Sequence, residues 1–455
     1  MEEYVAYAGI NSGDIEIDDR VVKTLNQLSQ EPRASISSAC RNKHQAKAVY
    51  RLLSNEKFQP EQVISVSAEE SVKKIESSKA SIVLIVQDSS TINYQNLRET
   101  GGLGVIGSSD KNRGMILHSA LGVGINNEIY GLLGQEVIVR EVESYGKRHQ
   151  RKKLPIEDKE SNKWLTMMEE TEKHIPENVL GVHVSDREGD IYEYFERCET
   201  LGSKYLCRRT HNRCVSDSHH EIDSYIGNLP EAGVMKVHVP RDSHTKRKAR
   251  EAKLSVKFGK TEIMRPSNLK MTDEHSLEKL TVYVISAVET DAASDVKEPI
   301  SWQLITNLPV EDFDNAVEKI DWYTKRWRIE DFHHTLKSGC SIEQRQASSE
   351  EKLEKLIALY SVIAVDILRM TWLARVNPDI SCEILFSEYE WKILYCVANK
   401  TRIAQKTPPT IYEAVRFVAI LGGFLNRKSD GEPGVKSIWL GLSKLNTIIL
   451  AMQFL

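Results

Sequence analysis

The stretch DWYTKRWRIEDFHHTLKSG, residues 321–339, is the most informative part of this chain. On a helix that turns about 100° per residue, four polar side chains fall within a sector of roughly 60°; they are Tyr323, Arg326, Glu330 and Lys337. The opposite side carries an apolar stripe that can dock the helix onto a core, formed by Trp322, Ile329, Phe332 and Leu336. The pattern predicts one helix whose polar face holds a carboxylate between two cations and a phenol.

This polar face has two interpretations on the residues alone. A solvated helix with ion pairs four residues apart is the ordinary one. A lone carboxylate among cations also suits a site that binds a divalent metal and anionic phosphates together. The second interpretation needs further carboxylates elsewhere in the chain that can join Glu330.

Two aspartates stand where predicted strands end. The run SIVLIVQDSS is a short apolar, β-branched segment with Asp88 at its edge, and VLGVHVSDREGDIYEYF gives a strand that ends at Asp186 before a helix. A single aspartate at such a position is often only a turn residue. In an α/β sheet, however, the ends of neighbouring strands meet in one crevice, where functional groups gather.

Asp190 has a local role available to it, because Asp190 and Glu193 have the spacing of a capping box at a helix start. We therefore expect Asp190 to be structural. Asp186 has no such local role in the sequence pattern, so it is the better candidate for a functional carboxylate.

The spacing Tyr323-x2-Arg326-x3-Glu330-x6-Lys337, with Asp88 and Asp186 after strands, resembles the Tyr-Arg-Glu-Lys signature of bacterial cut-and-paste DDE transposases, the transposon-five group of the insertion-sequence families. The resemblance runs from about residue 20 to the C-terminus. Further stretches resemble the family: GLGVIGSSDKNRGMILHSAL (102–121), PIEDKESNKWL (155–165), DREGDIYEY (186–194), EPISWQLITNLP (298–309) and LGGFLNRKSDGEPG (421–434).

The resemblance implies an α/β fold with a ribonuclease-H-like mixed-sheet catalytic core. We expect an N-terminal helical DNA-end-binding domain over 1–78, and a core formed by 79–208 together with 309–345. A β-rich insertion over 209–308 and a C-terminal helical dimerisation domain over 346–455 complete the predicted organisation. The order of apolar segments, with strands from 81 to 208 and helices near 157–174 and 190–199, is compatible with this core.

The predicted chemistry is metal-dependent cleavage and joining of phosphodiesters. Two divalent ions about 3.5–4 Å apart can activate a water or 3′-hydroxyl and stabilise the leaving oxygen. We expect Asp88, Asp186 and Glu330 to bind two Mg²⁺ ions, for which Mn²⁺ substitutes, because hard oxygen ligands suit these metals. By resemblance the enzyme nicks at the element end, forms and reopens a hairpin, and joins the 3′-hydroxyl to target DNA.

DNA contacts are expected at several side chains. Arg326 and Lys337 would clamp phosphates and Tyr323 would hydrogen-bond one, while Arg208 resembles a family arginine that contacts the DNA end. Trp302 stands at the family's position for stacking a flipped base, although alternation in SWQLIT also allows a core tryptophan. Two basic runs, GKRHQRKK (146–153) and HTKRKAREAK (244–253), are either solvated loops or tracks for phosphate backbones.

Composition describes an ordinary soluble protein. The chain has 455 residues, 40% of them hydrophobic, and a net charge of −4. No apolar run approaches the ~18 residues of a membrane span, and the acidic start MEEYVAYAGINSGD is not a signal peptide. Seven cysteines at irregular spacing suit a reducing cytoplasm, and the resemblance implies a cytoplasmic, nucleoid-associated protein. Cys207, His211, Cys214, His219 and His220 lack the cysteine pair of a zinc site.

The N-terminus departs from the family pattern. GDIEIDDRVVKTLNQLSQ is more acidic than the usual first helix, so we expect the chain to lack some residues at its start. The basic residues left to read a DNA end are Arg33, Arg41, Lys43, Lys47 and Arg51. The expected partners are double-stranded DNA, at both element ends and target, and a second copy of the chain, with no membrane.

Two alternatives stay open. One is a catalytically silent DNA-binding inhibitor of transposition, which the acidic start favours. The other is a ribonuclease-H-like nuclease of different biology. A Mg²⁺-dependent nicking assay on inverted-repeat DNA separates the enzyme from the inhibitor, and inverted repeats in the flanking DNA would identify a mobile element.

Overall fold

The computed structural model describes residues 4–40, 42–107, 109–141, 154–239, 249–269, 276–292, 296, 298–428 and 430–452. The chain forms two compact units. The first consists of Met1–Ala80, Asp88–Lys152 and Arg328–Leu455, and the second consists of Ser81–Gln87 and Lys153–Trp327.

Helices form both ends of the chain and alternate with strands in its middle. The N-terminal helices are α1 (Ile15–Gln30), α2 (Ile36–Ala39), α3 (Lys43–Leu53) and α4 (Pro60–Ser78). The middle helices are α5 (Lys163–Glu172), α6 (Tyr192–Leu201) and α7 (Ile222–Asn228). The remaining helices are α8 (Phe313–Thr324), α9 (Trp327–His334), α10 (Glu350–Val376), α11 (Glu388–Asn399), α12 (Ile411–Leu421) and α13 (Val435–Met452).

The strands coincide with the apolar segments that predict them. The first group is β1 (Ile82–Asn93), β2 (Gly104–Val105), β3 (Arg113–Gly124), β4 (Ile129–Ile138), β5 (Leu180–Ser185) and β6 (Lys204–Arg208). The second group is β7 (Gly233–Val239), β8 (Arg250–Met264), β9 (Lys279–Glu289) and β10 (Ser301–Thr306). The chain therefore has the predicted mixed α/β architecture with helical ends.

The first unit is built around α10. This helix is buried on nearly all sides, as expected of a helix that is apolar all round. It contacts α4, α12, α13 and strand β4. Strand β4 in turn pairs antiparallel with β3, which also pairs antiparallel with β2.

The second unit contains a mixed sheet. The beginning of β1 pairs in parallel with β5, from Ile82 opposite Leu180 to Val86 opposite Val184. Strand β5 pairs in parallel with β6, after which the pairings β6–β10, β10–β9, β9–β8 and β8–β7 are antiparallel. Aromatic side chains of α6 fill one side, where Phe195 stacks on Tyr205 with ring centroids 4.6 Å apart.

Strand β10 pairs on both of its edges. The sequence predicts SWQLIT as the last strand of the insertion, and it indeed pairs with β9. On its other edge it pairs with β6, opposite Cys207 and Arg208. The strand that carries Trp302 is therefore hydrogen-bonded directly beside the strand that carries Arg208.

The predicted single helix over the 321–339 stretch is wrong. Helix α8 ends at Thr324, Lys325 and Arg326 form a turn, and α9 begins at Trp327. A π-helical turn, Thr335–Gly339, follows α9. A constant 100° rotation therefore does not hold across this stretch, although the apolar stripe from Trp322 to Leu336 is buried as predicted.

Two helices within the described part of the chain are long and apolar enough to cross a membrane. In α10, 78% of the most apolar window is buried inside the protein, and in α13 the share is 39%. The core helix of a soluble protein can have the same length and composition. The central position of α10 in the first unit therefore explains why this helix is long and apolar.

Gly131 allows a close approach between α4 and β4. Its φ is +147°, a value that L side chains rarely adopt, and a Cβ atom there would overlap the hydroxyl group of Ser71. That hydroxyl donates hydrogen bonds to the carbonyl oxygens of Ser67, at 2.7 Å, and Leu132, at 3.0 Å. The backbone of β4 is thus held directly against α4.

We expect Gly131→Ala to lower the free energy of unfolding by about 2 kcal/mol or more, because it adds both backbone strain and overpacking. Thermal or denaturant unfolding measures the change. Gly202→Asn is the matched control: Gly202 also has a positive φ of +75°, but no atom of the described residues lies within 4 Å of its added Cβ. Equal stability of both variants would contradict the close approach.

Candidate active site

The two aspartates predicted at strand ends are both half-buried. For Asp88 the prediction is wrong, because β1 continues to Asn93; the Asp88 Oδ1 accepts the backbone N–H of Ser89 at 2.7 Å. Asp186 directly follows β5, and its Oδ1 accepts the backbone N–H of Glu188 at 2.8 Å, which caps a short 3₁₀ turn. The expectation that Asp186 has no local role is therefore wrong, because it caps this turn.

Asp190 is structural, but not as a helix cap. Helix α6 has Ile191 at its N-cap with no side-chain hydrogen bond, so the predicted capping box is wrong. Instead, Asp190 Oδ2 accepts the backbone N–H groups of Thr210, at 2.6 Å, and His211, at 2.8 Å. An ion pair of 2.7 Å with Arg213 completes its surroundings, so this carboxylate orders the segment after β6.

Tyr323 and Trp302 are in contact in the second unit. Their ring centroids are 5.8 Å apart with an interplanar angle of 67°, an edge-to-face arrangement. Trp302 is half-buried rather than enclosed, whereas Tyr323 is only 2% exposed. Half-burial is compatible with both interpretations of SWQLIT, so the stacking role of Trp302 stays a prediction.

Charged groups surround the Tyr323 phenol. Burial raises its pKa, the nearby Arg326 and Arg208 guanidinium groups lower it, and the Asp186 carboxylate raises it. The phenol is accordingly neutral and can donate a hydrogen bond at physiological pH. Arg208 also donates to the Ser301 carbonyl at 3.0 Å.

The second unit therefore gathers five predicted site residues that are far apart in sequence: Asp186, Arg208, Trp302, Tyr323 and Arg326. An exposed Trp327 lies against Arg326, whose guanidinium is 5.5 Å from the ring centroid. The arrangement combines a carboxylate, two cations, a phenol and a half-buried indole, which are groups that can bind phosphate and stack on a nucleobase.

The first unit holds the other predicted residues. Glu330 is half-buried on α9, and Lys337 lies in the π-helical turn that follows it. Such turns are rare and are frequent at functional sites. Burial lowers the pKa of Lys337, and the negative charge of Glu343 raises it. Glu343 Oε1 also accepts the N–H of Asn93, at the end of β1, at 2.9 Å.

Sequence reasoning missed Glu343. It lies six residues after Lys337, a spacing that brings no two side chains together on a regular helix. The π-helical turn and the left-handed Ser341, at φ +51°, separate the two residues in the chain. The only local signal was the glycine at the end of HTLKSG.

A divalent metal suits the individual carboxylates. Among the residues that the structure describes, no group of three or more His, Cys, Asp or Glu side chains could hold a metal ion. Whether a divalent metal fits is therefore judged from each carboxylate by itself. Asp88 and Asp186 offer hard oxygen atoms, and each is oriented by one backbone N–H, as ligating carboxylates usually are. Half-buried Glu330 adds a third oxygen donor.

Two residues from the family-like stretches have structural partners. His118, on β3, is fully buried, and its Nδ1 lies 2.9 Å from the Ser89 hydroxyl. Lys163, at the start of α5, lies 3.7 Å from both Glu160 and Glu188. His118 therefore contacts the residue after Asp88, and Lys163 the turn after Asp186.

The predicted DNA-binding cations are described only in part. The run 146–153, residues 244–248 and Arg41 lie outside the described residues. Arg250, which the structure describes, forms a bidentate ion pair with Glu289. It therefore links β8 to β9 and belongs neither to a solvated loop nor to a track for phosphate backbones. On α3, by contrast, Lys43, Lys47 and Arg51 are exposed at intervals of four residues and share one face.

Three family models match successive parts of the chain. The Transposase DNA-binding model matches residues 6–58, the Transposase DDE domain model matches 159–365, and the Transposase Tn5 dimerisation domain model matches 362–454. The chain is therefore a DDE transposase, a class of enzyme whose DDE domain generally depends on divalent metal.

Within that class the chain is similar to the Tn5 transposase. The predicted ribonuclease-H-like α/β fold is confirmed, and the terminal family models support DNA binding and dimer formation. Among solved structures, the piggyBac transposase in a synaptic complex with hairpin DNA matches 97% of this chain and 73% of its own, at 8% identity and a TM-score of 0.37. A likeness of that size supports no conclusion about function.

The electrostatic relation between Lys337 and Glu343 leads to a pH prediction. In Glu343→Gln the opposing negative charge is lost, while an amide oxygen remains to accept the Asn93 N–H. The pKa of Lys337 should then fall further, because the charge that raises it is gone, so that its ammonium loses its proton at lower pH. Competitive acetylation of Lys337 across pH, read by mass spectrometry, measures this shift.

Exposed Lys173, which is paired with Glu170 on the surface at 2.7 Å, provides the internal reference. An unchanged or upward-shifted Lys337 profile in Glu343→Gln would show that Glu343 does not support the lysine charge.

Proposed function

We propose that this transposase binds the ends of a DNA element, cuts them by Mg²⁺-dependent hydrolysis and hairpin formation, and joins the 3′-hydroxyl ends to target DNA. In this proposal Asp88, Asp186 and Glu330 are the metal-binding carboxylates. Mg²⁺ is the natural ion and Mn²⁺ substitutes, since both prefer oxygen ligands.

The register of β1 against β5 carries this proposal. The two strands pair in parallel with a constant offset, from Ile82 opposite Leu180 to Val86 opposite Val184. Asp88 and Asp186 each follow two residues after that last pair. Because the two strands run in parallel, positions that follow the last pair by the same number of residues lie toward the same end of the paired segment, and this register supports two carboxylates that act on one substrate.

When bound, two divalent ions supply an activated water or 3′-hydroxyl and a stabilised leaving oxygen. The protein side chains orient the DNA around that chemistry. Arg326 and Lys337 neutralise the phosphate at the scissile bond, where charge develops in the transition state. The neutral Tyr323 phenol donates a hydrogen bond to phosphate, which the raised pKa favours.

Hairpin formation bends the DNA more sharply than stacked bases permit, so one base leaves the helix. In this proposal the half-buried Trp302 ring, which contacts Tyr323 edge to face, stacks on that base. Arg208, on the neighbouring strand, contacts the DNA end in this proposal, since Trp302 and Arg208 lie on paired strands.

End recognition is proposed for α3. Lys43, Lys47 and Arg51 span roughly 12 Å along one exposed face of this helix, at 1.5 Å per residue. That length suits several consecutive phosphates or the edge of a groove. The protein is proposed to act as a homodimer through residues 346–455, a range that includes the part matched by the dimerisation model.

Removal of any one metal ligand should abolish cleavage. We expect Asp88→Ala, Asp186→Ala and Glu330→Ala each to lose cleavage of inverted-repeat DNA in Mg²⁺ by a factor of at least about 10³, while DNA binding stays largely intact. Gel assays of nicking and of mobility shift measure the two properties separately.

The matched control is Glu170→Ala, an exposed carboxylate on α5 that pairs only with a surface lysine in the described structure. This variant should cleave like the wild type. Near-normal nicking by any of the three site variants would remove that residue from the proposed ligand set.

Trp302 should act at the hairpin step. Trp302→Ala loses a stacking contact of about 1–3 kcal/mol, so hairpin formation should slow roughly tenfold or more while the first nick proceeds almost normally. Nicked intermediate should therefore accumulate on a denaturing gel, and a substrate with an abasic site at the flipped position should reduce the defect.

Trp302→Phe serves as the matched variant, because it keeps an aromatic face for stacking and should recover most of the hairpin rate. Equal slowing of nick and hairpin in Trp302→Ala would contradict the base-stacking role.

A further inference from the structure

A cluster of four side chains in the first unit includes two residues that flank Glu330 in the chain. It consists of Arg328 and Asp331 on α9 and Trp372 and Arg375 on α10, and is called here the Trp372 cluster. Arg328 and Asp331 pair at 2.6 Å. The guanidinium of Arg328 lies 3.8 Å from the Trp372 ring centroid, and that of Arg375 lies 4.6 Å from it.

Stacking on guanidinium groups is what holds the Trp372 ring. Its indole Nε1 is buried and has no hydrogen-bond partner in the described part of the chain, so no hydrogen bond fixes the ring. Two cations over one indole are instead attracted by its π-electrons, by about 1–2 kcal/mol each when partly desolvated. Arginine suits such contacts because its planar guanidinium stacks while it also forms ion pairs.

The cluster extends to the loop before α13. Arg375 donates a hydrogen bond to the carbonyl of Pro433 at 2.8 Å. Arg416 holds the same loop, with an ion pair of 2.9 Å to Glu432 and a hydrogen bond to the Gly431 carbonyl. This loop is part of LGGFLNRKSDGEPG, the family-like stretch to which the proposed chemistry gives no role.

Glu330 lies between the two α9 members of the cluster. Arg328 precedes it by two residues and Asp331 follows it directly, and both are tied to α10 or to each other. A helix of eight residues has few internal hydrogen bonds, so its orientation depends on tertiary contacts. The Trp372 cluster supplies such a contact through Arg328, which Asp331 in turn holds by an ion pair within the helix.

We propose that Trp372, Arg328 and Arg375 are positioning residues that fix the orientation of α9 and thereby aim the Glu330 carboxylate at the metal. The inference rests on the proposed function, in which Glu330 is a metal ligand. It also links two regions, since Arg328 lies in the part matched by the DDE model and Trp372 and Arg375 lie in the part matched by the dimerisation model.

The test compares Trp372→Leu with Trp391→Leu in the full-length protein. Trp391 is a buried tryptophan on α11 in the same unit, and its indole nitrogen also has no partner among the described residues, but no guanidinium stacks on it there. Two measurements are made: backbone hydrogen exchange of residues 327–334, and binding of Mn²⁺ to the protein alone, followed by the loss of the free-ion electron paramagnetic resonance signal.

We expect Trp372→Leu to speed exchange of the α9 amides about tenfold and to raise the half-saturating Mn²⁺ concentration about tenfold, the lower end of the range for residues that orient metal ligands. Trp391→Leu should change neither quantity. If Trp372→Leu fails to fold, Arg375→Lys replaces it, because lysine keeps the charge but loses the planar stack. Unchanged α9 exchange and Mn²⁺ binding, or equal effects of the Trp391 variant, would overturn the inference.

Glu330→Gln separates this inference from the proposed function. If Glu330→Gln binds Mn²⁺ as tightly as the wild type, Glu330 is not a ligand and the proposed function fails at that residue. If Glu330→Gln weakens Mn²⁺ binding but Trp372→Leu does not, the ligand assignment stands and the positioning role is wrong.

Discussion

The parallel pairing of β1 with β5 is the constraint on which the rest of the proposed chemistry depends. Parallel strands cannot be joined by a tight turn, so almost a hundred residues separate the paired segments, and the intervening chain supplies other elements. A slip of one residue in this register would turn every side chain of β1 to the other face. Val83 to Val86 are all fully buried, so both faces of this segment are apolar, and the charged Asp88 is the side chain that such a slip would misplace.

A second interaction supports the same register inside the second unit. His183 on β5 is fully buried, and its ring nitrogens lie 3.1 Å from the Gln87 side chain and 2.7 Å from Glu172. Buried polar groups are costly unless they are all satisfied, so this network favours one alignment of the strands. Because Gln87 directly precedes Asp88, the hydrogen bonds that align β1 with β5 also determine where Asp88 lies.

The sequence predicted the strands, the fold class and the family well, because these depend on periodicity and on short motifs. It failed where tertiary contacts override local rules. The helix through Arg326 was predicted as continuous, but a turn at Lys325 and Arg326 interrupts it. The capping box at Asp190 was predicted from spacing, yet Arg213 and the backbone after β6 attract that carboxylate instead. A local sequence pattern does not show which residue far along the chain will bind a given side chain.

In the proposed function α9 bears a metal ligand near DNA, and the aromatic ring of the Trp372 cluster suits such a helix. An arginine–carboxylate pair alone is exposed to competition from phosphate, which offers arginine the same bidentate geometry. Stacking on Trp372 uses the face of each guanidinium and leaves its N–H groups for Asp331 and Pro433. The contact with the ring therefore persists when a polyanion approaches, and it weakens little with salt because it is partly desolvated. A helix held in this way can keep Glu330 in one orientation while the charges around it change during strand cleavage.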